Sequence, residues 1–189
     1  MKIIIPARKG SKGLPGKNRL LFEHTISKIP KIYKKDVIVT TDDEVIIEQL
    51  SSSECKTLKR QKTLSEDTTS TRDVLQDAID KYNISEDEQI IMLYLTYPER
   101  TWKDIEQALE FYSKTKARSL LCCSDVKVNP FLCMLKKDNY KGAQIIEHNL
   151  YRRQDYPECF EISHFISIFQ SDELKKLNKN LYNKDTVFY

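Results

Sequence analysis

Residues 6–18 read Pro-Ala-Arg-Lys-Gly-Ser-Lys-Gly-Leu-Pro-Gly-Lys-Asn. Three of the protein's four glycines, Gly10, Gly13 and Gly16, fall within seven residues, together with four cations, Arg8, Lys9, Lys12 and Lys17. Upstream lies Met1-Lys-Ile-Ile-Ile5, a short apolar run of the kind that forms a buried strand. A glycine-rich loop leaving the carboxyl end of a buried strand is where an open α/β sheet holds a ligand. Glycine lets backbone N–H groups turn inward toward an anion, and the basic side chains add full charge. The stretch therefore points to a di- or triphosphate cradle. The alternative is a tight surface loop with solvated basic residues, but the clustering and the preceding strand point the same way. Five residues separate Gly10 from Gly16 and Asn18 stands where a magnesium-holding hydroxyl would be, so this is not a Walker P-loop. Nor does it read G-x-G-x-x-G, the dinucleotide fingerprint.

The stretch Ile5–Asn18 resembles the signature of the cytidylyltransferases that make CMP-activated acidic sugars, among them the CMP-N-acetylneuraminate synthetases. Other segments match in the same order over residues 1–175. The resemblance implies a three-layer α/β/α nucleotidyltransferase-like (Rossmann-like) domain over residues 1–189, with a mostly parallel sheet. It also implies transfer of CMP from CTP to an anionic acceptor, with pyrophosphate released, Mg²⁺ required and a homodimer as the assembly. On this reading Arg8, Lys12 and Lys17 face the triphosphate, and Gly10, Ser11, Gly13 and Asn18 contact phosphate, ribose or base.

Composition sets bounds that agree with this. A chain of 189 residues, 40% hydrophobic and 31% charged, is large enough for one well-cored α/β domain. A net charge of +3 is too small to argue for nucleic acid. No apolar run approaches the roughly 20 residues of a membrane span, and the chain opens on a strand, so neither a signal peptide nor a membrane anchor is expected. The five cysteines lack C-x-x-C spacing and read as reduced thiols of a cytoplasmic protein.

Along the chain, Leu20–Ile29 has helical apolar spacing ended by Pro30, with His24 near its apolar face. Asp36–Thr40 is a second buried strand, followed by a helix over Val45–Leu50 for which Thr41 or Asp42 is the expected cap. Asp42 and Asp43 are either caps, which need nothing further, or a metal pair, which needs another ligand. Cys55–Leu58 is a third strand. It leads to Arg60 and Leu64-Ser-Glu-Asp-Thr-Thr-Ser-Thr-Arg-Asp73. In the resembling family an arginine and a hydroxyl at these places contact the nucleotide, which implies Arg60 and Thr71 here. Ser70 or Thr71 also serves to cap the helix Arg72–Tyr82. Gln89–Leu95 is a strand, Trp102–Tyr112 an amphipathic helix with Thr101 and Asp104 in a capping box, and Ala117–Ser124 a further strand. The strand Ser163–Phe169 precedes a short helix capped by Ser171 or Asp172, and Thr186–Tyr189 is a last strand.

Tyr151-Arg-Arg-Gln-Asp-Tyr-Pro157 is the second strong family match, which implies Arg153 against the acceptor's acidic group, with Gln154 beside it. Three other acceptor positions depart from the pattern: Tyr94 replaces a glutamine, Ser163 an asparagine and Ser167 a tyrosine. The family's metal-holding Asp-x-Asp does not follow within the chain, so the metal ligands are unknown. Either the chain is truncated or metal is held differently. The runner-up function is a nucleotide-binding regulator without catalysis.

Overall fold

The computed structural model describes residues 1–10 and 14–189. They group into two compact units, Met1–Cys122 with His164–Tyr189, and Cys123–Ser163. In chain order the helices and strands are β1 (Lys2–Pro6), α1 (Lys17–Ser27), α2 (Lys31–Lys34), β2 (Val37–Thr41), α3 (Glu44–Leu50), β3 (Lys56–Lys59), α4 (Thr71–Lys81), β4 (Gln89–Met92), α5 (Trp102–Lys114), β5 (Ser119–Asp125), β6 (Met134–Lys136), β7 (Gly142–Gln144), β8 (Phe160–Gln170) and β9 (Val187–Phe188).

The main sheet runs β3-β2-β1-β4-β8-β5-β9. β1 pairs parallel with β2 (Ile4 opposite Ile38) and with β4 (Ile3 opposite Ile91), and β2 pairs parallel with β3. β8 runs antiparallel to β4, setting Ile91 opposite Ile168, and β9 is parallel to β5. Alternation within the strands splits the core between the two faces. Ile3, Ile5, Val37, Val39 and Ile91 pack with Phe22 and Ile26 of α1, Ile46 of α3 and Ile105 of α5. Ile4, Ile38, Ile90, Met92 and Phe169 pack with Leu75, Ala78 and Ile79 of α4. The three-layer, mostly parallel sheet is thus present in the first unit. After β1 the chain adds β2 and β3 on one side, then crosses to add β4 on the other. The gap between β1 and β4 is therefore a topological switch point, where such sheets bind ligands beyond the carboxyl strand ends.

Local corrections have local causes. α1 starts at Lys17, three residues earlier than its apolar spacing suggests, because Gly16 adopts a left-handed φ of 71° and delivers the chain straight into the helix. That conformation favours glycine. α1 ends at Ser27, and Pro30 instead caps the single turn α2. His24 is exposed, with Nε2 2.6 Å from Pro98 O, and is not a core residue. Asp43, in place of Thr41 or Asp42, caps α3 by accepting from Val45 N. Ser70 caps α4, leaving Thr71 as its first residue. β4 stops at Met92, short of Leu95, and the helix after β8 is a 3₁₀ turn over Ser171–Lys176 with no side-chain cap.

The second unit is built of β5's end, the β6–β7 hairpin (Leu135 opposite Ala143) and irregular loops leading into β8. None of its residues is buried.

Candidate functional site

A cleft of about 270 Å³ opens at the switch point of the first unit. Its wall is Pro6 and Arg8 from the end of β1, Lys17 and Asn18 from the start of α1, Arg60 beyond β3, Thr71 at the start of α4, and Tyr94–Thr96 beyond β4. Residues separated by nearly 90 positions meet because parallel strands all release their loops at one edge. Six residues singled out in the sequence, Arg8, Lys17, Asn18, Arg60, Thr71 and Tyr94, are brought together here. Ser11, Lys12 and Gly13 lie outside the described residues. Gly10 is exposed, with nothing crowding the position a Cβ would take.

The descending side of the loop is pinned by four polar ties. Ala7 N donates to Thr40 O (2.9 Å) and Thr41 Oγ1 donates to Ala7 O (2.6 Å). Lys9 N donates to Asp42 Oδ1 (2.8 Å), and Asn18 Nδ2 donates to Arg8 O (2.7 Å), tying the helix start to the strand end. Arg19 places Nε and Nη2 on the two carboxylate oxygens of Asp43, at 2.6 and 2.9 Å. Burial pushes the Asp43 carboxyl up, but the Arg19 fork and the Val45 N–H outweigh it and hold it below the usual carboxylate range. Asp42 and Asp43 are therefore engaged in loop and helix geometry. Among the described residues no group of three or more His, Cys, Asp or Glu side chains could hold a metal ion.

Arg60 is the most deeply buried cation of the cleft, 7% exposed. Nη2 donates to Thr40 O (3.0 Å) and Nε to Thr40 Oγ1 (3.4 Å). Burial pulls its pKa down to about 10, with nearby Asp42 supporting the charged form and Arg8 opposing it. The guanidinium stays charged at neutral pH in a dry setting, where an added anion is attracted more strongly than in water. Arg8 is ion-paired with Asp67 (2.5 Å). Asp67 and Glu66 are the carboxylates that line the cleft. The sequence shows both within Leu64–Asp73, but nothing in their spacing says that they face the arginine.

Tyr94 shares a short hydrogen bond with Thr71 Oγ1, and its ring meets His164 edge-on at 5.6 Å. Desolvation raises the phenol pKa, with the Thr71 bond opposing it, and burial lowers that of His164. Tyr94 was expected on the acceptor side; it stands in the wall that also carries Arg60 and Thr71. Arg100, missed as a structural residue by sequence reasoning, supports this wall. Nη2 donates to Tyr94 O (2.7 Å) and Nη1 to Phe165 O (2.5 Å), fastening the segment after β4 to the middle of β8. Ser167 lies inside the sheet opposite Met92, fully buried, its Oγ without a hydrogen-bond partner among the described residues. It is not part of the cleft wall. Ser163 is partly buried near the start of β8.

In the second unit Arg153 and Gln154 are exposed on a single 3₁₀ turn. The adjacent arginines differ. Arg152 spends its fork on Asp155 (2.7 and 2.9 Å), whereas the Arg153 guanidinium has no hydrogen bond or ion pair among the described residues. A cation held out on a turn with no partner can take an anion from solution.

The family model described as Cytidylyltransferase matches residues 2–184. The chain belongs to the cytidylyltransferase family. It is 33% identical over 196 residues to an N-acylneuraminate cytidylyltransferase of Streptococcus agalactiae serotype V, an alignment covering 98% of this chain and 45% of that protein. The chain thus spans under half the length of that curated relative. It is 28% identical to a CMP-N,N'-diacetyllegionaminic acid synthase of Campylobacter jejuni, covering 98% of this chain and 83% of the relative. Among solved structures, a CMP:2-keto-3-deoxy-manno-octonic acid synthetase complexed with CTP superposes with a TM-score of 0.62 at 20% identity, over 93% of this chain and 76% of that one. At that identity the likeness shows the fold, an α/β nucleotidyltransferase sheet.

Proposed function

We propose that this member of the family transfers CMP from CTP to an acidic sugar, releasing pyrophosphate, and so supplies an activated sugar for cell-surface glycan assembly in the cytoplasm. The observation that carries the proposal is the switch-point cleft, which gathers Arg8, Lys17, Arg60, Asn18 and Thr71 where the sheet presents its ligands. Arg8, Lys12 and Lys17 take the triphosphate, with Arg8 exchanging Asp67 for phosphate oxygens. Asn18, Arg60 and Thr71, with Ser11, Gly10 and Gly13, complete the nucleotide contacts. An acceptor oxygen attacks the α-phosphorus, the bond to the bridging oxygen breaks, and pyrophosphate leaves with its charge met by these cations. Positioning and charge neutralisation supply most of such catalysis. Arg153 takes the acceptor's anionic group, with Gln154 beside it. The relatives' names give CMP-sugar products of acidic sugars, which supports this acceptor class.

Mg²⁺ is expected with the triphosphate. A magnesium ion commonly binds through one or two carboxylates plus substrate phosphates, and Glu66 and Asp67 would be the carboxylates to hold it here. When bound it neutralises phosphate charge. Activity should vanish in excess EDTA and return with Mg²⁺ or Mn²⁺; full activity in EDTA overturns the requirement. The second unit exposes Leu132, Met134, Leu135, Ile145 and Tyr151, an apolar surface that supports a homodimer; sedimentation equilibrium giving a monomer at every concentration overturns it. Among the described residues no helix is long and apolar enough to cross a membrane.

The direct test is pyrophosphate release from CTP offered with N-acetylneuraminate, N,N'-diacetyllegionaminate and 2-keto-3-deoxy-manno-octonate. N-acetylneuraminate should be a poor acceptor, because Tyr94 and Ser163 depart from the family pattern and lost hydrogen-bonding groups discriminate strongly. The highest kcat/KM for N-acetylneuraminate overturns that specificity. No release with any acidic sugar, despite CTP binding, overturns the transferase.

A further inference from the structure

In the second unit, both ring nitrogens of His148 are hydrogen-bonded. Nδ1 accepts the Leu150 N–H (3.1 Å), and Nε2 lies 2.7 Å from Phe131 O. An acceptor nitrogen carries no hydrogen, and a carbonyl oxygen only accepts. The imidazole is therefore neutral, with its single hydrogen on Nε2 donated to Phe131 O. Gln144 clasps the same residue's backbone: its Oε1 accepts from His148 N (3.3 Å) and its Nε2 donates to His148 O (3.1 Å). The ring packs against Phe131 at 5.2 Å and meets Tyr156 edge-on at 5.8 Å.

Both ends of the next loop converge on this imidazole. Leu150 gives its N–H to Nδ1, and its carbonyl accepts from Tyr156 Oη (3.4 Å). Tyr156 in turn lies against the His148 ring. Residues 151–155 thus form a five-residue loop whose base is closed by Leu150 and Tyr156, with His148 touching both. Inside the loop Arg152 is held by Asp155 and Arg153 is left to act.

We propose that His148, as a neutral imidazole in one tautomer, is a positioning residue that fixes the base of the 151–155 loop and through it the direction of Arg153. The functional half of this rests on the proposed role of Arg153 toward the acceptor's anion. No buried core surrounds this loop, so the hydrogen bonds carry its order.

The test compares the wild-type chain with His148→Ala and His148→Asn. Asparagine is chosen because its side-chain oxygen can stand in for Nδ1 as the acceptor. The first readout is amide hydrogen-exchange protection of Leu150 and of residues 151–156, which needs no acceptor sugar. His148→Ala should lose at least 10-fold in protection at neutral pH, and His148→Asn should restore most of it. The second readout is KM from pyrophosphate release, with CTP and either N,N'-diacetyllegionaminate or N-acetylneuraminate. His148→Ala should raise the KM of the sugar at least 10-fold while leaving that of CTP within twofold, and His148→Asn should restore most of the loss. Unchanged protection in His148→Ala, or equal increases in both KM values, overturns the proposal. If the wild type binds CTP but turns over neither sugar, the acceptor assignment fails, and the exchange data alone decide whether His148 holds the loop.

Discussion

The cleft of the first unit and the arginine loop of the second are built in opposite ways. The cleft's cations stand on a sheet whose strands are buried on both faces, and Arg60 and Arg100 are themselves buried, with pKa values drawn down to about 10. Desolvating a guanidinium is costly, and only a dense core and well-placed carbonyls offset it. The second unit has no buried residue, and its loop is shaped by hydrogen bonds that involve His148, Gln144, Asn129 and Asp155. A preorganised charge array suits the triphosphate proposed for the cleft. A hydrogen-bonded loop of low packing density suits the acceptor proposed for Arg153.

The contrast predicts that substitutions of buried residues in the first unit cost stability and those in the second unit cost little. Arg100→Ala should be the largest effect. It leaves the carbonyls of Tyr94 and Phe165 without their donors and should lower unfolding free energy by about 3–5 kcal/mol. A urea denaturation midpoint within error of wild type would break the comparison.

Asp43→Ala should cost about 2–3 kcal/mol, through the lost cap of α3 and the lost partner of Arg19. Its pH dependence has a definite sign. The folded carboxyl titrates below the unfolded one because the Arg19 fork and the Val45 N–H outweigh burial. Its contribution is therefore complete above the unfolded value of about 4 and is lost as pH falls through the lower folded value. Chemical denaturation in steps from pH 6 to pH 2 should show the variant converging on wild type at the acid end. A gap of constant size would show that the carboxylate's charge is not what stabilises.

Lys17→Ala should fold normally, since Lys17 opens a helix at the cleft rim, and should weaken CTP binding by about 1–3 kcal/mol. Calorimetry showing unchanged affinity in a folded variant removes Lys17 from the site. In the same assay CTP should bind more tightly than ATP or GTP, and equal affinity for all three would count against base recognition by this cleft.

The smallest effect should be Arg152→Ala, which removes an exposed pair worth under about 1 kcal/mol, against Arg153→Ala, which should leave stability alone and raise the acceptor's KM. If Arg152→Ala impairs the acceptor as much as Arg153→Ala does, the division of labour between the neighbouring arginines is wrong.

Much of the first unit was legible in the chain. Isoleucine runs and Gly/Pro punctuation are local signals, and they marked β1, β2 and α5 because strand burial and helix capping depend on neighbours in sequence. The boundary of α1 was misjudged because Leu20 looked like the first core residue, yet it is 73% exposed. The helix is started instead by the left-handed turn at Gly16.

The sequence by itself determined the fold family and the basic stretch at a strand end, since each rests on a motif readable within a few residues, and the family resemblance implied Arg60 and Thr71 beside that stretch. Only the tertiary structure decided that Asp42 and Asp43 are spent on Lys9 and Arg19, that Asp67 faces Arg8, that Tyr94 joins the cleft wall through Thr71, and that Arg100 ties the segment after β4 to β8. These are contacts between segments 23 to 65 residues apart, set by strand order and register. A carboxylate's role is set by which cation the folded chain brings to it, and neither its own residue type nor its immediate neighbours carry that information.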